Sequence, residues 1–402
     1  MVKLIKIFKS VYRTSICKYT AEGRMYRMKK SAMNAISLVF LFAGFILFSC
    51  TPQPIKVGFI GGLSGFNSDL GISGRNGVSL AIDAVNKQGG IKGRKLELLV
   101  RDDKQDPEVA RAVFRELVSE QVVAVIGPMT SGIAQVLIPL ANEAQLPLIS
   151  PTASSPDFSG LDDLFIRVVT PNTNEALGLA MESFRRGVKK PCIFEDLSNQ
   201  AFCQVLSRAY MAELRRLSET GGAEISEITL PYDPKDPGTT NTWLIALERY
   251  QPDLVLFTTN SLDTAILAQR IRQRGFSMPF LGTGWAMSQS LIENGGKAVE
   301  GMVFTVPFNP ESESEAWRIF TSEYKQAFGK EADFGAAQGW TAAQVLAQAL
   351  STKGPKKIKE NIINRSYQGL QGPLYIDGFG DPVIPFQRLE IENGRLVSAS
   401  EP

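Results

Sequence analysis

A serine that follows an apolar strand and opens a helix is placed to hold an anion, because the first backbone N–H groups of a helix have no partner inside it. Thr130-Ser131-Gly132 is such a place, after the apolar run Val122 to Ile126 and at the head of a helical stretch from Ser131 to Ala144. The Ser131 hydroxyl would add a donor to those N–H groups. Ordinary helix capping uses the same residue type, so the pattern alone leaves both readings open. The loop Pro151-Thr152-Ala153-Ser154-Ser155 closes another apolar run, Leu146 to Ile149, and is either a second set of ligand donors or a plain turn. Gly61, Gly62, Gly65 and Gly71 lie in a Gly/Ser-rich loop from Gly61 to Gly74. They are not spaced as GxGxxG, so they read as flexible turns and not as a phosphate cradle.

The chain has no histidine, which removes the usual general base near neutral pH, the commonest metal ligand and any Ser-His-Asp arrangement. There is no GxxxxGK[ST] loop, CxxC pair or GxSxG elbow. Enzymes without histidine exist, using paired carboxylates or lysine, but no motif here points to catalysis, a cofactor or a metal, and none is expected. Lys+Arg (43) and Asp+Glu (41) nearly cancel, so no nucleic-acid partner is implied. The four cysteines, Cys17, Cys50, Cys192 and Cys203, are too few for a disulfide framework in 402 residues. A Cys192–Cys203 bridge would require a strand residue and one on the next helix to meet disulfide geometry, which such pairs rarely do.

The N-terminus reads as a processing signal spanning residues 1–49. From Met28, MKKSAMNAISLVFLFAGFILFSC gives a basic start at Lys29 and Lys30 and an apolar run from Ala35 to Phe48. That run is too short for the roughly 20 residues of a bilayer-spanning helix. Leu47-Phe48-Ser49-Cys50 resembles a bacterial lipobox, with Cys50 as the lipidated first residue of the mature chain and residues 50–54 as an extended tether. Phe48 is bulkier than usual there, and an uncleaved anchor is the other reading. Either places the body of the protein outside the cytoplasmic membrane, in the periplasm or on the cell surface. Residues 1–27 read as lying upstream of the true start.

After the tether, apolar runs alternate with amphipathic stretches. Ile55 to Ile60 reads as a buried strand; Val78, Ala81, Ile82 and Val85 fall at helical spacing before Gly89-Gly90. Leu96 to Val100 is a second strand, and Asp106-Pro107 an N-cap with proline at the first helical position, ahead of the stripe Val109, Val113, Leu117. Further strands fall near Cys192 to Phe194, Glu224 to Thr229, Leu254 to Phe257 and Pro279 to Gly282. Strand and helix in alternation predict an α/β fold with parallel sheets covered on both faces, and such sheets bind ligands at the carboxyl ends of their strands. The length favours two units.

Three blocks then carry a resemblance: IKVGFIGGLSGFNSDLGISGRNGVSLAIDAVNKQGGIKGRKLELLVRDDKQDP, VVAVIGPMTSG and LPLISPTASSPDF, in that order. They resemble the type I periplasmic binding proteins of the leucine/isoleucine/valine-binding kind, and the likeness runs from Ile55 to about Arg395. It implies two Rossmann-like lobes joined by three crossovers: lobe one at 55–169 plus 307–384, and lobe two at 170–306 plus 385–402. It also implies a monomeric protein that closes on a small polar ligand, an amino acid or analogue, and passes it to the permease and ATPase of an ABC importer. A sensing or enzyme-activating lipoprotein of the same fold is the alternative.

By the same resemblance Ser131 takes the ligand carboxylate, with Thr152, Ala153 and Ser154 beside it. Leu70 stands where relatives often carry an aromatic ring. In lobe two, Asn260, Phe202 and Trp285 fall at or near contact positions, Phe202 and Trp285 equally suiting a core. Gly284-Trp285 occupies the segment that in relatives carries an acid for the ligand's amine. The nearest substitute in sequence, Asp263, also suits the first turn of a helix. This mismatch leads to the expectation of a carboxylate or amide ligand with a modest apolar or aromatic body against Leu70 and Trp285. Removing the Ser131 hydroxyl is expected to weaken binding and leave folding nearly intact.

Overall fold

The computed structural model describes residues 52–65, 68–219, 222, 224–236, 240–353 and 357–398. The stretch read as a leader, with Cys17, and Cys50, read as the lipidation site, lie outside them. The apolar runs inside the sheets form strands buried on both faces, as a parallel sheet under helices requires; β1 (Ile55–Gly61) is buried at all but one position. The first sheet takes β1, β2 (Leu96–Asp102), β3 (Val125–Ile126), β4 (Leu148–Ser150) and β5 (Phe165–Arg167) in the order β2-β1-β3-β4-β5, with all pairs parallel. Its helices are α1 (Asp69–Lys87), α2 (Pro107–Ser119) and α3 (Ser131–Ala144). Asp106 caps α2 by accepting from the N–H groups of Glu108 and Val109, with Pro107 at the first position.

After β5 the pattern repeats. α4 (Thr173–Arg185), β6 (Pro191–Asp196), α5 (Gln200–Glu219), β7 (Ile228–Tyr232), α6 (Thr240–Tyr250), β8 (Leu254–Thr258), α7 (Ser261–Gln273), β9 (Phe280–Gly282), α8 (Gln289–Gly295) and β10 (Val303–Val306) follow in turn. The parallel part of this second sheet runs β7-β6-β8-β9-β10, the same winding as the first. The chain then passes through α9 (Glu315–Phe328), α10 (Phe334–Lys353), α11 (Ile358–Ile362) and a small antiparallel sheet of β11 (Arg365–Gly369), β12 (Gly372–Ile376) and β13 (Pro382–Val383). It returns to the second sheet as β14 (Gln387–Glu392), antiparallel to β10, and β15 (Arg395–Ser398).

One sequence expectation needs correction. The Gly/Ser-rich stretch from Gly61 to Gly74 is not a loop throughout: α1 begins at Asp69, so Leu70 and Gly71 are helical. Gly65, at φ +92° with open space around it, is a turn glycine, but others there serve close packing. A Cβ on Gly71 would stand 2.0 Å from the Gly62 carbonyl oxygen, and one on Gly77 would stand 2.0 Å from that of Ala336 at the start of α10. Glycine lets two backbones approach to a distance that no side chain permits.

Candidate functional site

In both sheets the winding reverses between the first and third strands, at β1/β3 and at β6/β8. The loops leaving the carboxyl ends of strands at such a switch point make a crevice. Here the two sets of loops share one cleft of about 470 Å³. Sheet one contributes Met129, Thr130, Ser131, Thr152 and Ser154, and α1 adds Leu70; sheet two contributes Asn199, Phe202, Gly284 and Trp285. Val169 and Thr170, where the chain first passes to the second sheet, Val306 and Pro307, where it leaves β10, and Phe386 complete the wall with Phe334 and Glu175.

Thr130 is the extended residue ahead of α3 and makes no side-chain cap. Ser131, 1% exposed, holds the next loop in place, because its Oγ accepts the N–H groups of Ser154 (3.2 Å) and Ser155 (3.1 Å). With both lone pairs engaged, the hydroxyl has its proton left to donate. The Gly132 N–H at the same helix start donates to Asn199 Oδ1 at 2.8 Å, which ties the first sheet's loops to the turn after β6. Thr152 lines the cleft and donates its hydroxyl to the Met129 carbonyl. Thr170 Oγ1, also on the cleft, is buried and has no hydrogen-bond partner among the described residues.

The cleft therefore gathers Ser131, Thr152, Ser154, Leu70, Phe202 and Trp285 from the residues singled out in the sequence. Phe202 and Trp285 are at once wall and core: they meet edge to face, ring centres 5.9 Å apart, inside a buried cluster on the second sheet. Ala153 is fully buried among Ile60, Leu148 and Phe158 and faces the core instead of the cleft. Asn260 and Asp263 also stand apart from it. Asn260 caps α7, its Oδ1 accepting the Asp263 N–H at 3.0 Å, and the Asp263 carboxylate accepts the Tyr232 hydroxyl at 2.6 Å and the Asn260 amide. Asp263 is thus committed to its own loop. Cys192 and Cys203 are both free and buried, with Cys203 Sγ donating to the Thr258 carbonyl at 2.9 Å, so the bridge weighed from the sequence is not formed.

Glu175, in the first turn of α4, is the residue the sequence reading missed. It is 5% exposed and lines the cleft, where its Oε1 accepts the Gly284 N–H at 2.6 Å. Oε2 forms no hydrogen bond within the described residues. Burial pushes the carboxyl up to about 8, against the pull of the Gly284 N–H. A signal existed: Glu175 stands four residues before Leu179, on the face that also holds Ala176, Ala180 and Ser183. Among the described residues no cluster of three or more His, Cys, Asp or Glu could hold a metal ion. The chemistry on offer is reversible binding: an electropositive helix start with serine donors on one side, and a carboxyl on the other.

A sequence profile of the family described as periplasmic binding protein matches residues 54–387. A leucine-, isoleucine-, valine-, threonine- and alanine-binding protein of Pseudomonas aeruginosa is 23% identical over 364 residues, 88% of this chain and 94% of its own. Among solved structures, the branched-chain amino acid transporter substrate-binding protein of Streptococcus pneumoniae, in complex with isoleucine, superposes with a TM-score of 0.78 at 21% identity, covering 87% of this chain and all of its own (100%). An ABC transporter solute-binding protein of R. palustris in complex with benzoate gives 0.77 at 19% identity, covering 86% and 96%.

Proposed function

The chain belongs to the periplasmic binding protein family, and on that footing we propose that it is an extracytoplasmic, lipid-anchored solute-binding protein. It closes two lobes on an amino acid or a related small carboxylate or amide and delivers it to the permease and ATPase of an ABC-type importer. The observation that carries this reading is the shared cleft at the carboxyl ends of two like-wound sheets, where the start of α3, the Ser131 hydroxyl and the unpartnered Thr170 Oγ1 converge. Ligands that close such a cleft bind through a few aimed polar groups in an otherwise apolar wall. Leu70, Met129, Val169, Phe202, Trp285 and Phe334 supply that wall.

The lobes are 55–169 with 307–384, and 170–306 with 385–402. The membership of the sheets supports the division: the first sheet ends at Arg167, the second runs from Pro191 through Val306 and regains the chain at Gln387. Hinge closure about the three connections would then open and seal the cleft. Across it the Asp69 carboxylate of α1 accepts the hydroxyls of Ser261 and Ser288 from second-sheet elements. The lipid anchor rests on the lipobox-like Leu47 to Cys50. The test of function is a thermal-shift screen of the mature chain against amino acids, amides, ureas and small carboxylates. A true ligand raises the melting temperature in proportion to the logarithm of its concentration above Kd. A flat response to every class would reject the reading.

A further inference from the structure

Glu175 is the one ionisable side chain among the described residues that line the cleft. A buried carboxyl with a single N–H partner is costly, since an acid taken out of water needs a full set of donors or a cation to keep its charge. Glu175 has the Gly284 N–H on one oxygen and the cleft beside the other. The far wall has the opposite character, with the start of a helix of fourteen residues and the Ser131 proton. The cleft is thus electropositive at one wall and acidic at the other, with apolar surface between them. We infer that Glu175 is the specificity-determining residue of this site, pairing with an ammonium group of the ligand and selecting zwitterionic amino acids over simple carboxylates. This inference rests on the solute-binding reading.

The acid comes from the first helix after the crossover at Thr170, and Gly284 serves it by donating the backbone N–H that orients the carboxyl. Asp263, bonded to Tyr232 and Asn260, has no part in it. A simple carboxylate ligand brings no cation for Glu175, which then stays protonated and adds no ion pair to the binding.

A pH signature follows. Of the titratable and charged groups on α5 and β14, the ones bonded to side chains of α4 are Tyr210, to Ser183, and Arg388, to Glu182; both meet α4 about two turns beyond Glu175. The loop from Thr283 to Ser288 and strand β10 carry none. Across the cleft, Asp69 is bonded to Ser261 and Ser288, and Asp103 lines a smaller neighbouring pocket. Glu175 thus titrates chiefly against its own burial, and near neutral pH the empty cleft holds it largely protonated. An arriving ammonium keeps its own protons and ionises Glu175, whose proton passes to the buffer. Affinity for a zwitterion rises about tenfold per pH unit on the acid side of the Glu175 pKa and levels above it.

The experiment is calorimetry on the wild-type mature chain and on Glu175→Gln. The probes are leucine, isoleucine, valine, benzoate and 4-methylpentanoate, which is leucine without its amino group. Repeating the titrations in buffers of different ionisation enthalpy counts the protons released. The wild type is expected to bind at least one of the amino acids, to release close to one proton below neutral pH, and to bind the deaminated acid far more weakly. Glu175→Gln keeps the size and the acceptor for Gly284, and its unchanged circular dichroism checks the fold. It should lose amino-acid affinity by about a hundredfold or more, lose the proton release, and bind 4-methylpentanoate at least as well as the wild type does. Unchanged amino-acid affinity in Glu175→Gln overturns the inference, and so does wild-type binding of the deaminated acid as tight as that of the amino acid. Binding of benzoate or 4-methylpentanoate alone also overturns it and leaves the solute-binding reading standing. Binding of none of the probes, with no hit in the thermal screen, removes both.

Discussion

The Ser131 oxygen accepts two backbone N–H groups, from Ser154 and Ser155, at a position only 1% exposed. The expectation that its hydroxyl contributes mainly to the ligand, with folding nearly intact without it, is therefore revised. Ser131→Ala leaves two buried N–H groups with no partner, at about 1–3 kcal/mol for an unsatisfied group. A lower urea midpoint is expected for the ligand-free variant, together with weaker binding from the lost donor. A ligand-free midpoint equal to wild type would show that the loop finds other acceptors. Residue types at strand ends made Ser131, Thr152 and Ser154 legible in the sequence, because polar loops that close apolar runs are few and short. Glu175 and Asn199 were not legible in that way. Glu175 looks like one more helix acid until α5 and β10 cover its face, and Asn199 depends on a tertiary bond to Gly132 across the cleft.

At the scale of elements, α1 and α10 meet backbone to backbone, which sets the Leu70 end of α1 against the cleft. Alanine at Gly77 would gain up to about 1 kcal/mol in helix propensity on exposed surface. Here its Cβ would stand 2.0 Å from the Ala336 carbonyl oxygen and 3.0 Å from the Trp340 nitrogen, and both neighbours are backbone, so α10 must move. Overpacking of this kind costs about 1–3 kcal/mol. A net loss of stability is expected for Gly77→Ala, read from the denaturant midpoint; a gain would mean that the helices slide apart freely. The alternation of strand and helix was plain from Ile55 to Gly282 because both periods are short and each apolar run is closed by turn residues. The start of α1 was hidden since glycine signals both turns and close packing, and only the partner helix distinguishes them. No strand was read between Pro307 and Ile384, where β11 and β12 alternate buried and exposed residues over five residues each.

Across the whole molecule, several acids are buried in ways that favour their neutral form. Burial holds Glu175 at about 8 and Asp103, Asp196 and Asp333 at about 6, each above its ordinary value. A carboxyl that binds its proton more tightly folded than unfolded contributes stability that is fully present below its unfolded pKa. That contribution is lost as pH rises to the folded pKa. Glu182 and Asp102, with lowered values, act in the opposite sense, but only at acid pH, below the ordinary carboxyl range. The ligand-free chain is therefore expected to lose stability steadily as pH rises from about 5 to about 8. The aspartates contribute to the lower part of that fall; Glu175 contributes across the whole of it and alone carries the part above about 6. Glu175→Gln carries no ionisable group and should make the fall shallower from about pH 5 upward and nearly flatten it above about pH 6. Melting temperatures across this range, for both proteins without ligand, measure the difference directly. Parallel curves would mean that Glu175 keeps an ordinary pKa, with water reaching its carboxyl in the empty cleft. Saturating ligand acts the other way if its ammonium pairs with Glu175, since bound ligand then favours the ionised acid. The wild-type fall above pH 6 should shrink in its presence, and in Glu175→Gln the same addition should leave the slope as it was.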